Sequence, residues 1–330
     1  MIKKILFLLI IVLSTSRVSA QDAHLSLYDA APLFLNPAMT GVFQGDWRLH
    51  GQFRTQWKAV NYKPYTTTLL SFDMPMKKWG IGLQISNFRA GKGNYNALQG
   101  SVSLAYTNSL DRKKRHNISF GVQGGVTQKT IEYQLLSFNN QYTTANGGGF
   151  DETIDTQEEF AGQSATVPVL NAGFLYFFAK QESRFNPFLG VSAFNLTEPK
   201  ESLFNIENRL PMRYYGHVGT RINVTELFYL IPKVLVMNQR EFWEQTYALD
   251  AGFYFKESDF YLIAGAVFRT EDAMIVSLGA KMENIVAKIG YDINVSTLSS
   301  NTTGRGGFEF SLTYVKQKKK PTTDKICPRL

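Results

Sequence analysis

Hydrolytic chemistry needs a hydroxyl or thiol nucleophile, a base beside it, and a third group that orients the base. This sequence of 330 residues offers few bases: His24, His50, His116 and His217 are its only histidines, and Cys327 is its only cysteine. His116 follows the basic run Arg112 to Arg115 and reads as a solvated turn residue. His217, between Gly216 and Val218, reads as a packed wall residue. No serine stands in a G-x-S-x-G element, and neither a C-x-x-C pair nor a histidine cluster offers metal ligands. The expectation is a chain that is not an enzyme and that holds no cofactor and no metal. One thiol also makes no internal disulfide.

Groups that could recognise a partner gather in three places. The segment 128–167 contains Asn139-Asn140, Gly147-Gly148-Gly149 and the acidic residues Asp151, Glu152, Asp155, Glu158 and Glu159. A connection this long is commonly functional or disordered, so it reads either as a docking surface or lid, or as a solvated loop. Its carboxylates lack EF-hand spacing, which argues against calcium. The tail 317–330 carries Lys318, Lys319, Lys320 and Arg329. It reads either as a solvated basic tail or as a tether to a periplasmic partner or the cell wall. Asn36-Pro37, a turn signal, lies in the stretch 24–45, which is too apolar to hang free in water. The formal net charge is +8; taking away Lys3, Lys4 and Arg17 of the leader described next leaves a modest +5. The cations are scattered or sit in turns and the tail, so nucleic acid is not an expected partner.

The elements that must position these groups are strands. Lys3 and Lys4, the apolar run Ile5 to Leu13, and Val18-Ser19-Ala20 before Gln21 have the layout of a cleaved secretory signal. No later segment has eighteen consecutive apolar residues, so membrane helices are not expected. Instead, short alternating segments recur at roughly the ten-residue length of a tilted membrane strand. They cover 46–58, 64–74, 78–88, 96–108, 115–127, 168–179, 185–195, 212–223, 227–237, 244–256, 259–268, 273–282, 284–295 and 306–316. In the last, Phe308, Phe310, Leu312 and Tyr314 alternate with Gly307, Glu309, Ser311 and Thr313. The ninth is the weakest, because Phe228 to Val236 is apolar on both faces and contains Pro232.

About fourteen such strands predict an all-β fold, a transmembrane antiparallel β-barrel of the outer-membrane type, and outer-membrane lipid as its first partner. A content of 25 Phe, 16 Tyr and 26 Gly suits barrel strands with aromatic girdles. A mean hydropathy of −0.17 is compatible, since half of the wall faces the lumen. The layout is a signal peptide over 1–20, a periplasmic N-terminal segment or plug over 21–45, the barrel over 46–316, and a basic periplasmic tail over 317–330. Short turns near Pro75, Asp111, Glu182, Asn223, Ser258 and Glu283 fall at one end, taken as periplasmic, and most long connections fall at the other. Lumen-facing Arg54, Gln84, Gln123, Arg221, Asp250, Lys288 and Asp292 would either pair internally or line a porin-like channel.

Several of these residues also form a recognisable series. Gln21 to Ser26, Leu35-Asn36-Pro37-Ala38 and Gly41 open it, followed by Arg54, Gln56-Trp57, Pro64, Thr66, Ser71, Asp73, Pro75 and Gly80-x-Gly82. Gly290-Tyr291-Asp292, Ser296, Gly307-Phe308-Glu309 and Cys327-Pro328-Arg329 complete it. In order and spacing this resembles the PorP/SprF family of type IX secretion membrane proteins, over nearly the whole chain after the leader. Ala23, Leu27-Tyr28 and Leu330 depart from the family's usual proline, Gln-aromatic pair and terminal Phe. The resemblance implies an outer-membrane barrel of Bacteroidota, associated with type IX secretion and gliding motility. Its implied partners are other secretion components and a large secreted adhesin, which the barrel helps to reach or stay on the cell surface. The resemblance supplies no catalytic residues.

Overall fold

The computed structural model describes residues 24–56, 63–144, 148–158, 162–180, 182–201, 208–295 and 305–317. The leader, Glu159 and the tail residues Lys318, Lys319, Lys320 and Arg329 lie outside the described residues. The first five strands are β1 (Trp47–Gln56), β2 (Tyr65–Met76), β3 (Trp79–Ala90), β4 (Tyr95–Ser109) and β5 (His116–Thr130). A small hairpin follows, β6 (Tyr142–Thr143) and β7 (Gly149–Phe150), then β8 (Ser164–Phe178), β9 (Phe185–Phe194) and β10 (Arg213–Asn223). The last six are β11 (Phe228–Gln239), β12 (Phe242–Phe255), β13 (Phe260–Arg269), β14 (Ala273–Met282), β15 (Ile285–Asn294) and β16 (Arg305–Lys316).

All strands but β6 and β7 close into one fourteen-stranded antiparallel barrel. β5 pairs with β8 across the long connection, and β1 closes on β16 with Trp47 opposite Lys316 and Thr55 opposite Phe308. Closure gives every strand of the barrel a neighbour on both sides, so the sheet has no end strand, which is the condition for crossing hydrocarbon. Alternation decides the two faces. In β3, Ile81, Leu83 and Ile85 are exposed on the outside while Gln84 and Ser86 are buried inside. The outer belt also includes Val102, Leu104, Val122, Leu278, Ile289 and Phe310.

Three local expectations are refined. Residues 127–130 and 164–167 remain paired, Thr130 lying opposite Ser164, so the wall runs past the expected strand ends at 127 and 168. Outward Gln128, Thr130, Ser164 and Thr166 suit a ladder continued beyond lipid, where outward positions need not be apolar. His116 is not simply solvated: its Nδ1 lies 2.9 Å from the Tyr176 hydroxyl, and its ring packs edge-on against Phe178, its partner in the register. The ninth segment is a full barrel strand, β11. Pro232 stays in ladder with Leu249 on β12, and pairing to β10 lapses only between Gly219↔Lys233 and Ile222↔Leu230. The missing proline N–H is thus absorbed locally.

The lipid-facing assignment predicts a depth-dependent cost. Leu278→Arg, mid-strand on β14, should lower stability by about 2–4 kcal/mol, and Met282→Arg, at the strand's end, by about 0–1 kcal/mol. Urea unfolding from liposomes measures both. Equal costs would contradict the orientation of the wall.

Candidate functional site

Residues 24–45 run inside the barrel, and the lumen is built around them. Pro32 opens one helical turn, Pro32–Leu35, and Pro37 opens a 3₁₀ turn, Pro37–Met39. Proline suits a first helical position because its φ is preset and its absent N–H is not needed there. Asn36 lies between the two turns and is fully buried. Its Oδ1 accepts from the Ala38 N–H at 2.9 Å, capping the second turn. Its Nδ2 donates to the carbonyls of Phe174 on β8 at 3.0 Å and Val191 on β9 at 3.2 Å, and lies 3.3 Å from Nε2 of His217 on β10. One side chain therefore fixes the segment to three successive strands. Wall glycines allow the backbones to meet: a Cβ on Gly121 would lie 2.3 Å from the Pro37 carbonyl carbon, and one on Gly80 would lie 2.1 Å from the Thr40 oxygen.

The segment's apolar side chains pack on an apolar inner wall. Tyr28, Leu35, Met39 and Val42 form one cluster with Phe177, Phe188, Ile231 and Leu235. Its polar groups meet charges that the wall holds at three levels. Towards the loop end, the N–H groups of Ser26 and Leu27 donate to Glu309 at 2.7 and 3.1 Å, and Ser26 Oγ donates to Asp292 at 2.8 Å. Arg54 bonds the same Asp292 at 2.6 Å and also donates to the His24 carbonyl. Arg269 lies between Ser26 Oγ at 3.1 Å and Glu244 at 3.4 Å.

Midway, Asp29 of the segment joins Asp250 of β12, Lys233 of β11 and Lys288 of β15 in a buried quartet. Lys233 reaches Asp250 at 2.9 Å and also bonds Asp29, while Lys288 reaches Asp250 at 3.0 Å and Asp29 at 3.4 Å. Two cations and two anions balance. At the turn end, Arg48 grips Asp73 with two hydrogen bonds of 2.9 and 2.7 Å, and Asp73 also accepts the Gly41 N–H at 2.7 Å. Beside this pair a cavity of about 120 Å³ opens, lined by Met39, Val42, Phe43, Arg221, Tyr229 and Tyr261 and reaching in to the quartet.

Among the expected site residues, Asn36 and Pro37 are therefore luminal contacts. Asp151, Glu152, Asp155 and Glu158 lie elsewhere, in the outer lobe of the β5–β8 connection, and the last three are exposed. The structure does not bring the two sets together. The lobe is braced by pairing of Tyr142 with Phe150 and by Gln141, which donates to the Ile154 carbonyl at 3.0 Å. Asp151 accepts from the Thr153 hydroxyl and N–H, which hold its carboxyl below the usual range. Among the described residues no group of His, Cys, Asp or Glu is arranged to hold a metal ion.

Sequence reasoning named Arg54, Asp250, Lys288 and Asp292 as luminal and left out Ser26, Asp29, Lys233, Glu244 and Arg269. A signal for Lys233 was present: it is the one charge within the apolar run of β11, on the inward parity. Asp29 had no comparable signal, because one carboxylate in an irregular segment reads as solvated.

The barrel is similar to two solved channels. One is the monoaromatic hydrocarbon channel CymD, at a TM-score of 0.51 and 11% identity over 88% of this chain and 94% of that one. The other is the toluene transporter TodX of P. putida, at a TM-score of 0.51 and 10% identity over 88% of this chain and 95% of that one. At such identity the likeness is one of fold. No curated protein matches the chain significantly. The model of one family, described as type IX secretion system membrane protein PorP/SprF, matches residues 17–314. A closed barrel, a segment threaded through its lumen, and a family match over nearly the whole chain agree: this protein belongs to the PorP/SprF family of type IX secretion system membrane proteins.

Proposed function

We propose that the protein is a plugged outer-membrane scaffold of the type IX secretion and gliding machinery, one that helps a large secreted adhesin to cross or stay attached at the cell surface. The filled lumen carries this reading. With residues 24–45 bonded to strands around the wall, the two ends of the barrel are left to meet partners. At the loop end, residues 131–163 contain six carboxylates and no Lys or Arg. Tyr142 and Phe150 stand exposed in that lobe, in edge-on contact at 5.4 Å. Aromatic anchors with a charged rim are the usual makings of a protein contact, here one that suits a cationic partner surface.

No catalysis enters the proposal. His50 and His217 are buried in the wall beside the plug, where His50 meets Thr313 at 2.8 Å and Gln52 at 2.9 Å. His24 is held by Arg269, and His116 meets Tyr176.

A porin-like channel or small-molecule transporter is the second reading. The fold likeness to hydrocarbon channels and the cavity at the turn end favour it, but the cavity ends on the buried quartet. In planar bilayers the native protein should therefore stay electrically silent. Asp29→Asn leaves two buried lysines facing one carboxylate; breaking such a buried network costs about 3–5 kcal/mol, so this variant should flicker open and unfold earlier in urea. Steady large conductance from the native protein would favour transport and count against the plug.

Deleting residues 139–162 should leave barrel insertion intact, seen as heat-modifiable migration on gels, and abolish surface retention of the adhesin. Normal retention in the deletion strain would remove the lobe from the docking role.

A further inference from the structure

We propose that the turn end of the barrel carries a ledge that binds the headgroups of anionic phospholipids. Three successive turns build it. Lys77 and Lys78 lie on the β2–β3 turn, Arg112, Lys113, Lys114 and Arg115 on the β4–β5 turn, and Lys180 and Arg184 on the β8–β9 turn. The strands involved are neighbours in the wall, and backbone hydrogen bonds tie the turns to them: the Thr107 N–H donates to the Lys78 carbonyl and the Ala179 N–H to the Arg115 carbonyl, both at 2.7 Å. All eight cations are exposed except Arg115, which is half-buried.

Two carboxylates stand near them, Asp111 and Glu182. Asp111 is taken up by its own turn, where it accepts from the N–H groups of Arg115 at 2.7 Å and His116 at 2.9 Å. The other three turns at this end, 224–227, 256–259 and 283–284, contain Lys256 against Glu226, Glu257, Asp259 and Glu283. Among the six turns at this end, net positive charge thus falls on three that are neighbours in the wall.

The surface directly above that arc selects lipid as the occupant. Trp79, Leu110 and Phe185 are exposed on the outer face, Leu110 continuing the lipid-facing register of Leu104 down to the basic turn. Lys78 Nζ sits 5.9 Å from the Tyr106 ring and Arg184 sits 5.7 Å from the Phe185 ring. Cations rising from an aromatic girdle on the outside of a barrel have the arrangement of side chains that reach for headgroups. A contact made only with a soluble acidic protein would not require them on the lipid side.

The test is native mass spectrometry of the full detergent-purified barrel titrated with phosphatidylglycerol or phosphatidylcholine. Each cation beside an anionic surface is worth about a fivefold change in partition. The native protein should retain phosphatidylglycerol over phosphatidylcholine by roughly tenfold or more, and the preference should shrink in 0.5 M salt (an ionic strength of about 0.5 M screens such contacts strongly). The double variant Lys113→Glu, Lys114→Glu should bring the two lipids level while migrating as a folded barrel. Equal binding of both lipids by the native protein, or a preference that survives the double variant, would overturn the proposal. So would a variant that keeps its lipid preference and loses a co-purifying periplasmic protein, since the ledge would then be a protein contact. A stronger preference for lipopolysaccharide than for phosphatidylglycerol would place this end at the outer leaflet and overturn it as well.

Discussion

Charge sealed inside a barrel must find its counter-charge there, and this requirement organises the molecule. Lys233 and Lys288 project inward from β11 and β15, and Asp250 from β12 offers them a single carboxylate. Asp29 supplies the second, and it comes from the N-terminal segment instead of the wall. With the segment in place but Asp29 removed, two buried lysines would share one carboxylate, and breaking a buried network in this way costs about 3–5 kcal/mol. The same dependence recurs towards the loop end, where Glu309 accepts backbone N–H groups of Ser26 and Leu27. The wall and the segment are therefore electrostatically incomplete alone, and the plug is part of the fold.

That dependence explains what could be read from the sequence and what could not. Strand number and outward register were legible because lipid imposes a strict rule on every second residue. The inner face follows a different rule. Around a water-filled lumen it would be polar, and the doubt over β11 came from Pro232 and from Tyr229, Ile231 and Leu235 breaking that pattern. These residues are apolar because the segment's own apolar cluster covers them. The lumen is thus a protein core, and β11 reads as a buried strand of such a core would. The path of residues 24–45 was not legible, since two short turns around prolines carry no period that points to a partner surface.

The series of residues that resembles the PorP/SprF family gains a physical account from the same contacts. Asn36, Pro37, Ala38 and Gly41 belong to the segment, while Arg54, Asp73, Gly80, Asp292 and Glu309 are the wall groups that receive it. Asp73 binds Gly41, Arg54 and Asp292 enclose the chain at His24 and Ser26, and Gly80 makes room for Thr40. Motifs separated by more than 200 residues in sequence meet at one interface. This is why motifs weak one by one become specific in their order. The acidic residues of the outer lobe contribute nothing to that series, several of whose described members show how the barrel is filled, and the lobe must be judged by its own chemistry.

Filling the lumen also changes what the ends can do. Hydrogen bonds between the segment and β1, β2, β8 and β9 tie these strands to one another through the lumen. β5 and β8 illustrate the consequence. At one end they carry a lobe with six carboxylates and no cation, and at the other the turns that flank them concentrate six cations against two carboxylates. Opposite charges at the two ends of one stiff pair of strands cannot neutralise each other across the bilayer. Each end keeps its own sign of charge, with the filled lumen between them.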